Sequence, residues 1–276
     1  MSLDHLHPFA GQHAIQSAAF GLDFASELDV GEVIALRVAA AQLAGDFPVL
    51  REQQRTTFNV QVGSAEATPP STNVEAGGFI MERPALIPSE PKSRFVIVNR
   101  TGIIVVINDY TRWDKFKADI DRYLSVLLTP IDSQKAITGV GLQFNDIFLW
   151  KTDPVDLKLD EVFVVNNPYL VPNVFSSPLL WHSHHGYLLS NKEPVQHQQL
   201  DNINVSRVAA NEEHQLQILT SHQVTLEKPL YKSWSDNKPS LLAIQENLHN
   251  KNKDILSALL TPAAQQKINL NGPKEA

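Results

Sequence analysis

The chain has 276 residues, of which 43% are hydrophobic and 19% charged, a composition typical of folded globular proteins. Because it contains no cysteine, it has no disulfide, no thiolate metal ligand and no cysteine nucleophile. The net charge is -7 and no run of Lys or Arg is long enough to neutralise several phosphates at once, which disfavours strong nucleic-acid binding.

The sequence also bears on membrane contact and location. No apolar stretch approaches the length of about 20 residues that a membrane-spanning helix needs. The first residues, MSLDHLHPFAGQHA, lack the basic region followed by an apolar segment that marks a secretory signal. We therefore expect a cytoplasmic protein with no membrane partner, in which residues 1–13 form a loose leader with solvated histidines.

The first regular elements follow this leader. Residues 14–24 alternate apolar and polar side chains, which predicts a half-buried strand. Asp29 and Glu32 have the spacing of a capping box at the start of a helix. An extended pattern returns over residues 49–62, and the polar, proline-containing residues 64–78 predict a loop.

The best-specified stretch runs from Arg94 to Leu128. Two apolar, β-branched runs, 95–98 and 103–107, are separated by residues that tolerate a tight reversal, which predicts a hairpin. Since both runs are apolar at nearly every position, we expect central strands covered on both faces. Thr111 and Asp114 predict a second capped helix, whose apolar side comprises Phe116, Ile120, Tyr123, Leu124 and Leu127.

The overall pattern predicts an α+β fold with mostly antiparallel sheets, two helices packed on the N-terminal sheet and a C-terminal helix. In the second half, strands are predicted at 162–165, 178–189, 205–210 and 214–226, and a closing helix at 240–260. We expect an N-terminal α+β unit over 14–150 and a β-rich unit over 151–270, or one continuous domain. Residues 14–62 and 103–149 share the order strand, capped helix, long strand, which suggests a weak internal duplication.

The densest set of potential metal ligands lies in WHSHHG, residues 181–186. On a strand, His182 and His184 point to one face and would share a zinc or manganese ion, with Glu193 or His197 as further ligands. The run superficially resembles the His-Ser-His signature of the JAMM zinc isopeptidases, but Ser190 comes too early and Glu193 stands where that family has Asp. The alternative is that these are partly exposed strand histidines.

Other reactive signatures are missing from the sequence. It has no G-x-S-x-G elbow and no phosphate-binding glycine loop, so we assign no catalytic residue and expect no cofactor other than the metal just described. Arg51, Arg55 and Arg94 predict a small basic binding patch, although a solvated sheet edge explains them equally well.

Four segments resemble a sporadically distributed family of uncharacterised prokaryotic proteins found near mobile or defence gene systems. They are AIQSAAFGLDF, RFVIVNRTGIIVVIND, YTRWDKFKADI and the closing LLAIQENLHNKNKDILSALLTPAAQQKI, in which His249 matches the helix histidine of the family. The resemblance implies an α+β fold and a recognition or regulatory role toward another protein, such as an effector from the same operon. His249 thereby becomes a candidate binding residue, the alternative being a bond to a neighbouring backbone carbonyl.

Three hypotheses follow. The first is a non-enzymatic protein-binding or regulatory component, monomeric or homodimeric, of a bacterial defence, toxin-antitoxin or mobile-element system. The second is a metal-dependent hydrolase that uses His182 and His184. The third is a weak nucleic-acid-binding accessory protein, which the acidic balance makes the least favoured.

Overall fold

The computed structural model describes residues 2–59, 71–85, 93–131, 135–153, 156–177, 180–210, 213–231 and 234–270. Its strands are β1 (Leu6–Pro8), β2 (Ile15–Phe24), β3 (Val49–Asn59), β4 (Ser71–Arg83), β5 (Arg94–Asn99), β6 (Gly102–Ile107), β7 (Ile137–Trp150), β8 (Trp181–Asn191), β9 (His197–Ala210) and β10 (Glu213–Leu230). Its α-helices are α1 (Val30–Ala40), α2 (Trp113–Leu128), α3 (Leu159–Val162), α4 (Trp234–Leu259) and α5 (Pro262–Lys267). None of these helices is long and apolar enough to span a membrane.

All ten strands belong to one sheet in which every neighbouring pair is antiparallel. The strand order is β3-β4-β5-β6-β2-β7-β10-β9-β8, and β1 pairs with the last residues of β7. The predicted α+β fold with antiparallel sheets, two helices on the N-terminal strands and a C-terminal helix is therefore confirmed. Strands β3 and β8 form the two edges.

The helices pack on one face of this sheet, which we call the inner face. Alternate residues of β2, such as Phe20 and Leu22, are buried there with α1, α2 and the first half of α4. A second cluster on the same face joins β9 and β10 to α3, α5 and the second half of α4. The prediction that β5 and β6 are covered on both faces is wrong, since outward-facing Ile104 is 39% exposed.

Local sequence signals explain several elements. The Asp29 and Glu32 capping box of α1 is present in both directions. In the β5-β6 turn the side-chain carbonyl of Asn99 accepts hydrogen bonds from the backbone N–H groups of Thr101 and Gly102, both at 2.8 Å. The predicted apolar side of α2 is buried as expected. Thr111 is not the cap of that helix, because Arg112 occupies the N-cap position without a capping side chain.

The structure corrects other expectations. Residues 1–13 are not a loose leader, because Leu6 is fully buried in β1 and the His13 ring packs edge-on against Tyr110. Part of the loop predicted at 64–78 is strand, since β4 begins at Ser71; residues 60–70 lie outside the described part. The strand predicted at 162–165 is absent from the described residues, where α3 is followed by one isolated bridge.

The two predicted units share this sheet. Strand β7 of the first unit pairs along most of its length with β10 of the second, and α4 contributes to both hydrophobic clusters. The boundary at residue 150 stays a prediction. The internal duplication also stays a prediction. The two proposed repeats differ in the sheet, because three strands separate β2 from β3 in β2-α1-β3, whereas one strand separates β6 from β7 in β6-α2-β7.

Candidate functional site

The predicted metal ligands lie on the outer, helix-free face of β8. His182 and His184 are both exposed and point the same way, and His184 Nδ1 hydrogen-bonds Asn204 Oδ1. His197 is not a third ligand, since it points to the inner face and its Nδ1 donates to the Val195 carbonyl at 2.7 Å. No three His, Asp or Glu side chains within the described ranges are grouped to hold a metal. A metal at His182 and His184 stays a prediction.

The three arginines do not form one surface patch. Arg94 points to the inner face with only 4% of its side chain exposed. Its guanidinium donates to Asp109 at 2.6 Å, to Asp119 at 2.8 Å and to the Tyr123 hydroxyl at 2.9 Å. Because it is enclosed by these partners, Arg94 ties β5 to α2 and is not a binding residue on the surface.

Arg51 and Arg55 remain on the exposed edge strand β3. Arg51 lies 3.3 Å from the Glu82 carboxylate, and Arg55 donates to Glu27 at 2.5 Å. An open groove of about 630 Å³ is lined by Arg55, Arg100, Glu27 and neighbouring polar residues. Arg100 also pairs with an acid, Glu75. The groove is thus polar and its two guanidinium groups are neutralised by carboxylates.

His249 lies between α2 and α4 and not on an open surface. Its ring stacks on Trp113 with centroids 3.9 Å apart and planes 11° apart. Trp113 Nε1 and Lys117 Nζ both donate to Glu246 at 2.9 Å. Burial lowers the pKa of His249 to about 4, so the ring is neutral near pH 7. The alternative of a bond from its Nδ1 to a backbone carbonyl is not seen, because this buried atom has no partner among the described residues.

A layer of polar groups on the inner face of β9 and β10 was not predicted from the sequence. His222 and Asp201 are both fully buried and lie 2.6 Å apart. Burial favours a raised pKa for Asp201, but hydrogen bonds from His222 and Gln199 leave the pKa lowered. An Asp-His pair of this kind orients an imidazole in catalytic sites, but here no solvent reaches the pair. It is part of the packing between the sheet and α4.

Helix α4 completes this layer. Thr220 of β10 donates to Asn252 of α4 at 2.6 Å. Gln245, two turns earlier on α4, is fully buried, and its amide has no partner among the described residues. Buried polar groups fix the position of a helix more strictly than apolar contacts do, because each misplaced group costs about 1–3 kcal/mol.

On β2 and β5 to β10 the outer face of the sheet carries a continuous surface without charged side chains, which we call the uncharged face. Glu82 of β4, Arg51 of β3 and Asp23 of β2 lie at its border. The strand register aligns its residues in rows of seven, seven, five and three. The rows are Ile97, Ile104, Gly21, Gly141, Gln223, Leu200, Leu188; Phe95, Val106, Ala19, Gln143, Ser221, Asn202, Gly186; Ser17, Asn145, Leu219, Asn204, His184; and Gln217, Ser206, His182.

The uncharged face changes character across the sheet. On β5 and β6 it is aliphatic and aromatic, whereas on β7 to β10 it consists mainly of amides, hydroxyls and imidazoles. All residues of these four rows are exposed or half-buried. The shortest row ends at Gln217, because its neighbour on β7, Ile147, is buried. With strands about 4.8 Å apart and outward residues about 6.8 Å apart along a strand, these rows cover roughly 700 Å². The surface is therefore close to the ~800 Å² that each partner contributes to a standard protein interface.

No model of a known protein family matches the chain, and no curated protein is significantly similar to it. The uncharged face is the candidate site that the geometry defines most clearly.

Proposed function

We propose that the protein is a non-enzymatic binding component that holds another protein on the uncharged face. The observation that carries this proposal is the lack of Asp, Glu, Lys and Arg along the four rows from β5 to β8, in a chain of which 19% of residues are charged. The centres of protein interfaces are depleted of Lys, Glu and Asp, because those side chains lose hydration when they are buried without partners. A surface that has to stay in water has no such reason to avoid charge.

The composition of the face also indicates the chemistry of the partner. The amide and hydroxyl side chains of β7 to β10 require hydrogen-bonding groups opposite them, since an unpaired buried amide is costly. Ile97, Ile104 and Val106 require apolar contact. The proposed partner thus presents an uncharged surface, apolar at one end and rich in polar, neutral groups at the other.

The cellular setting belongs to the same proposal. A role as a regulatory or recognition component in a bacterial defence, toxin-antitoxin or mobile-element system rests on the resemblance of the four sequence segments alone. The metal-dependent hydrolase and the nucleic-acid-binding protein stay alternatives, and neither is favoured by a further feature of the described residues.

Site-specific photo-cross-linking in cells tests the proposal. A benzophenone amino acid is placed at Ser221, in the middle of the face, and in a second variant at Asn204. The control position is Val38 on the solvent side of α1, which is 67% exposed. We expect one and the same protein to be captured from both face positions and not from Val38. Capture that is equal at all three positions would contradict the proposal.

The captured protein is then produced and its affinity measured by calorimetry against S221K. A lysine ammonium buried at the centre of the interface without a partner should weaken binding at least about 30-fold, or ~2 kcal/mol. The matched control is V38K, which should bind as the wild type does. An unchanged affinity of S221K would place the contact elsewhere.

A further inference from the structure

The two edges of the sheet differ in charge. Edge strand β3 carries Arg51, Glu52 and Arg55, and charged side chains are a common means of preventing another strand from pairing with an edge. Edge strand β8, WHSHHGYLLSN, has eleven residues without Asp, Glu, Lys, Arg or Pro. Its outward-facing Leu188 is 60% exposed.

The free edge of β8 is available in the described structure. Its other edge pairs with β9 over all eleven residues, from Trp181 to Asn191. No backbone group of the described residues outside β9 hydrogen-bonds to β8. A long, uncharged strand with a row of open N–H and C=O groups is a template for another strand.

We propose that a second copy of this chain pairs with β8 in antiparallel fashion, with the two-fold axis at Gly186. Gly186 is the middle residue of β8, so this register alone pairs all eleven residues of each copy. A symmetric dimer requires one patch that is complementary to itself, and a single antiparallel strand satisfies this requirement about its midpoint.

The register gives complementary contacts on both faces. On the outer face, His184 of each copy lies opposite exposed Leu188 of the other, so that Leu188 loses contact with water. On the inner face, His185 lies opposite Tyr187 of the other copy, an aromatic cross-strand pair of the kind that stabilises sheets. Because directly opposed residues of antiparallel strands point to the same face, the uncharged faces of the two copies lie on the same side of one continuous sheet.

The first test is the mass in solution over a range of concentrations. One strand pair covers less area than the ~800 Å² per partner of a standard interface, so we expect a concentration-dependent dimer that reaches twice 30.7 kDa by about 500 µM. L188K places an ammonium group at the paired edge and should remain monomeric. The matched control is L50K, at a 40% exposed leucine of the opposite edge strand β3, which should dimerise as the wild type does.

A wild-type protein that stays monomeric at 500 µM would overturn the proposal. So would an L188K variant that dimerises like the wild type. Neither result depends on a partner for the uncharged face, so failure of the dimer and failure of the proposed function are separate outcomes.

The second test determines the register, and the cysteine-free chain is suited to it. In the proposed dimer His182 of one copy lies opposite Ser190 of the other, at the ~5 Å Cα separation that a disulfide spans. Within one chain these residues are eight positions apart, about 27 Å along the strand, so they cannot be joined intramolecularly. H182C/S190C should form covalent dimers under mild oxidation, whereas H182C alone should not. Equal cross-linking of both variants would refute this register.

Discussion

Asp146 provides the sharpest test of the packing between the sheet and the helices. It points inward from β7 between Phe144 and Phe148 and is 2% exposed. Its Oδ2 atom is buried and has no partner among the described residues. Burial raises the pKa of this carboxyl from 3.8 to about 7. Ionised Asp146 is therefore a source of instability at neutral and alkaline pH.

The expected size of the effect follows from linkage. A carboxyl whose pKa is raised by folding binds more protons in the folded state, so stability falls as the pH rises from about 4 to about 7 and is constant above that. The pKa of Asp146 rises on folding from 3.8 to about 7. At ~1.4 kcal/mol per pKa unit, this difference lowers the free energy of unfolding by roughly 4 kcal/mol at pH values above 7. His249, whose pKa is lowered to about 4, has the opposite slope below pH 6.5. The effect of Asp146 must therefore be measured as a difference between two proteins.

The assay is urea unfolding of the wild type and D146N between pH 5 and pH 8. Asn has nearly the same shape and cannot ionise, so D146N should be the more stable protein, and its advantage should grow by roughly 2–3 kcal/mol from pH 5 to pH 8. The control is D254N, at an exposed position of α4, which should change the free energy of unfolding by less than about 0.5 kcal/mol. A difference between D146N and the wild type that does not vary with pH would refute the reasoning.

Three further predictions concern stability, each measured by urea unfolding at pH 7. R94M should cost about 3 kcal/mol, because it removes the buried guanidinium that pairs with two aspartates. G78A should cost at least about 3 kcal/mol, since Gly78 has φ +144° and a Cβ there would lie 2.1 Å from the Val98 carbonyl oxygen; G45A, where a Cβ meets nothing within 4 Å, should change stability by less than about 1 kcal/mol. D29A removes the α1 cap and should cost about 1 kcal/mol.

The elements that the sequence predicted well are those specified by neighbouring residues. The β5-β6 hairpin depends on Asn99, whose side chain bonds the backbone two and three residues later. The α1 helix depends on Asp29 and Glu32, three residues apart. The predicted cap of α2, Thr111, is one residue from the observed cap, Arg112. Arg112 makes no capping hydrogen bond with its side chain, so the sequence carries no signal for this position.

The elements that the sequence did not predict depend on distant partners. Leu6 and its neighbours form a strand because β7 pairs with them 140 to 144 residues later. In β9 the inward residues include Gln199 and Asp201, and Asp201 is held there by hydrogen bonds to Gln199 and to His222 of β10. Inner and outer positions of β9 are therefore both polar over much of its length, and the hydrophobic alternation that would mark the strand is lost. The uncharged face is visible in the sequence as alternate strand positions without charged residues. These positions belong to several strands, however, and they can be aligned into one surface only once the register is known.

The position of the charges separates protein binding from nucleic-acid binding. Acidic residues such as Asp114, Asp121 and Glu246 lie on the helices, whereas the uncharged face has none. The nearest charged groups lie at the border of that face, where Arg51 pairs with Glu82 and Asp23 follows Gly21 along β2. A partner held on the face replaces no ion pair, so its affinity should change less than about threefold between 50 and 500 mM salt. A nucleic acid would have to replace counterions at each phosphate contact, and a protein making even three such contacts would lose more than about 100-fold over the same range. The salt dependence of the first partner identified thus decides between the two classes without any knowledge of its structure.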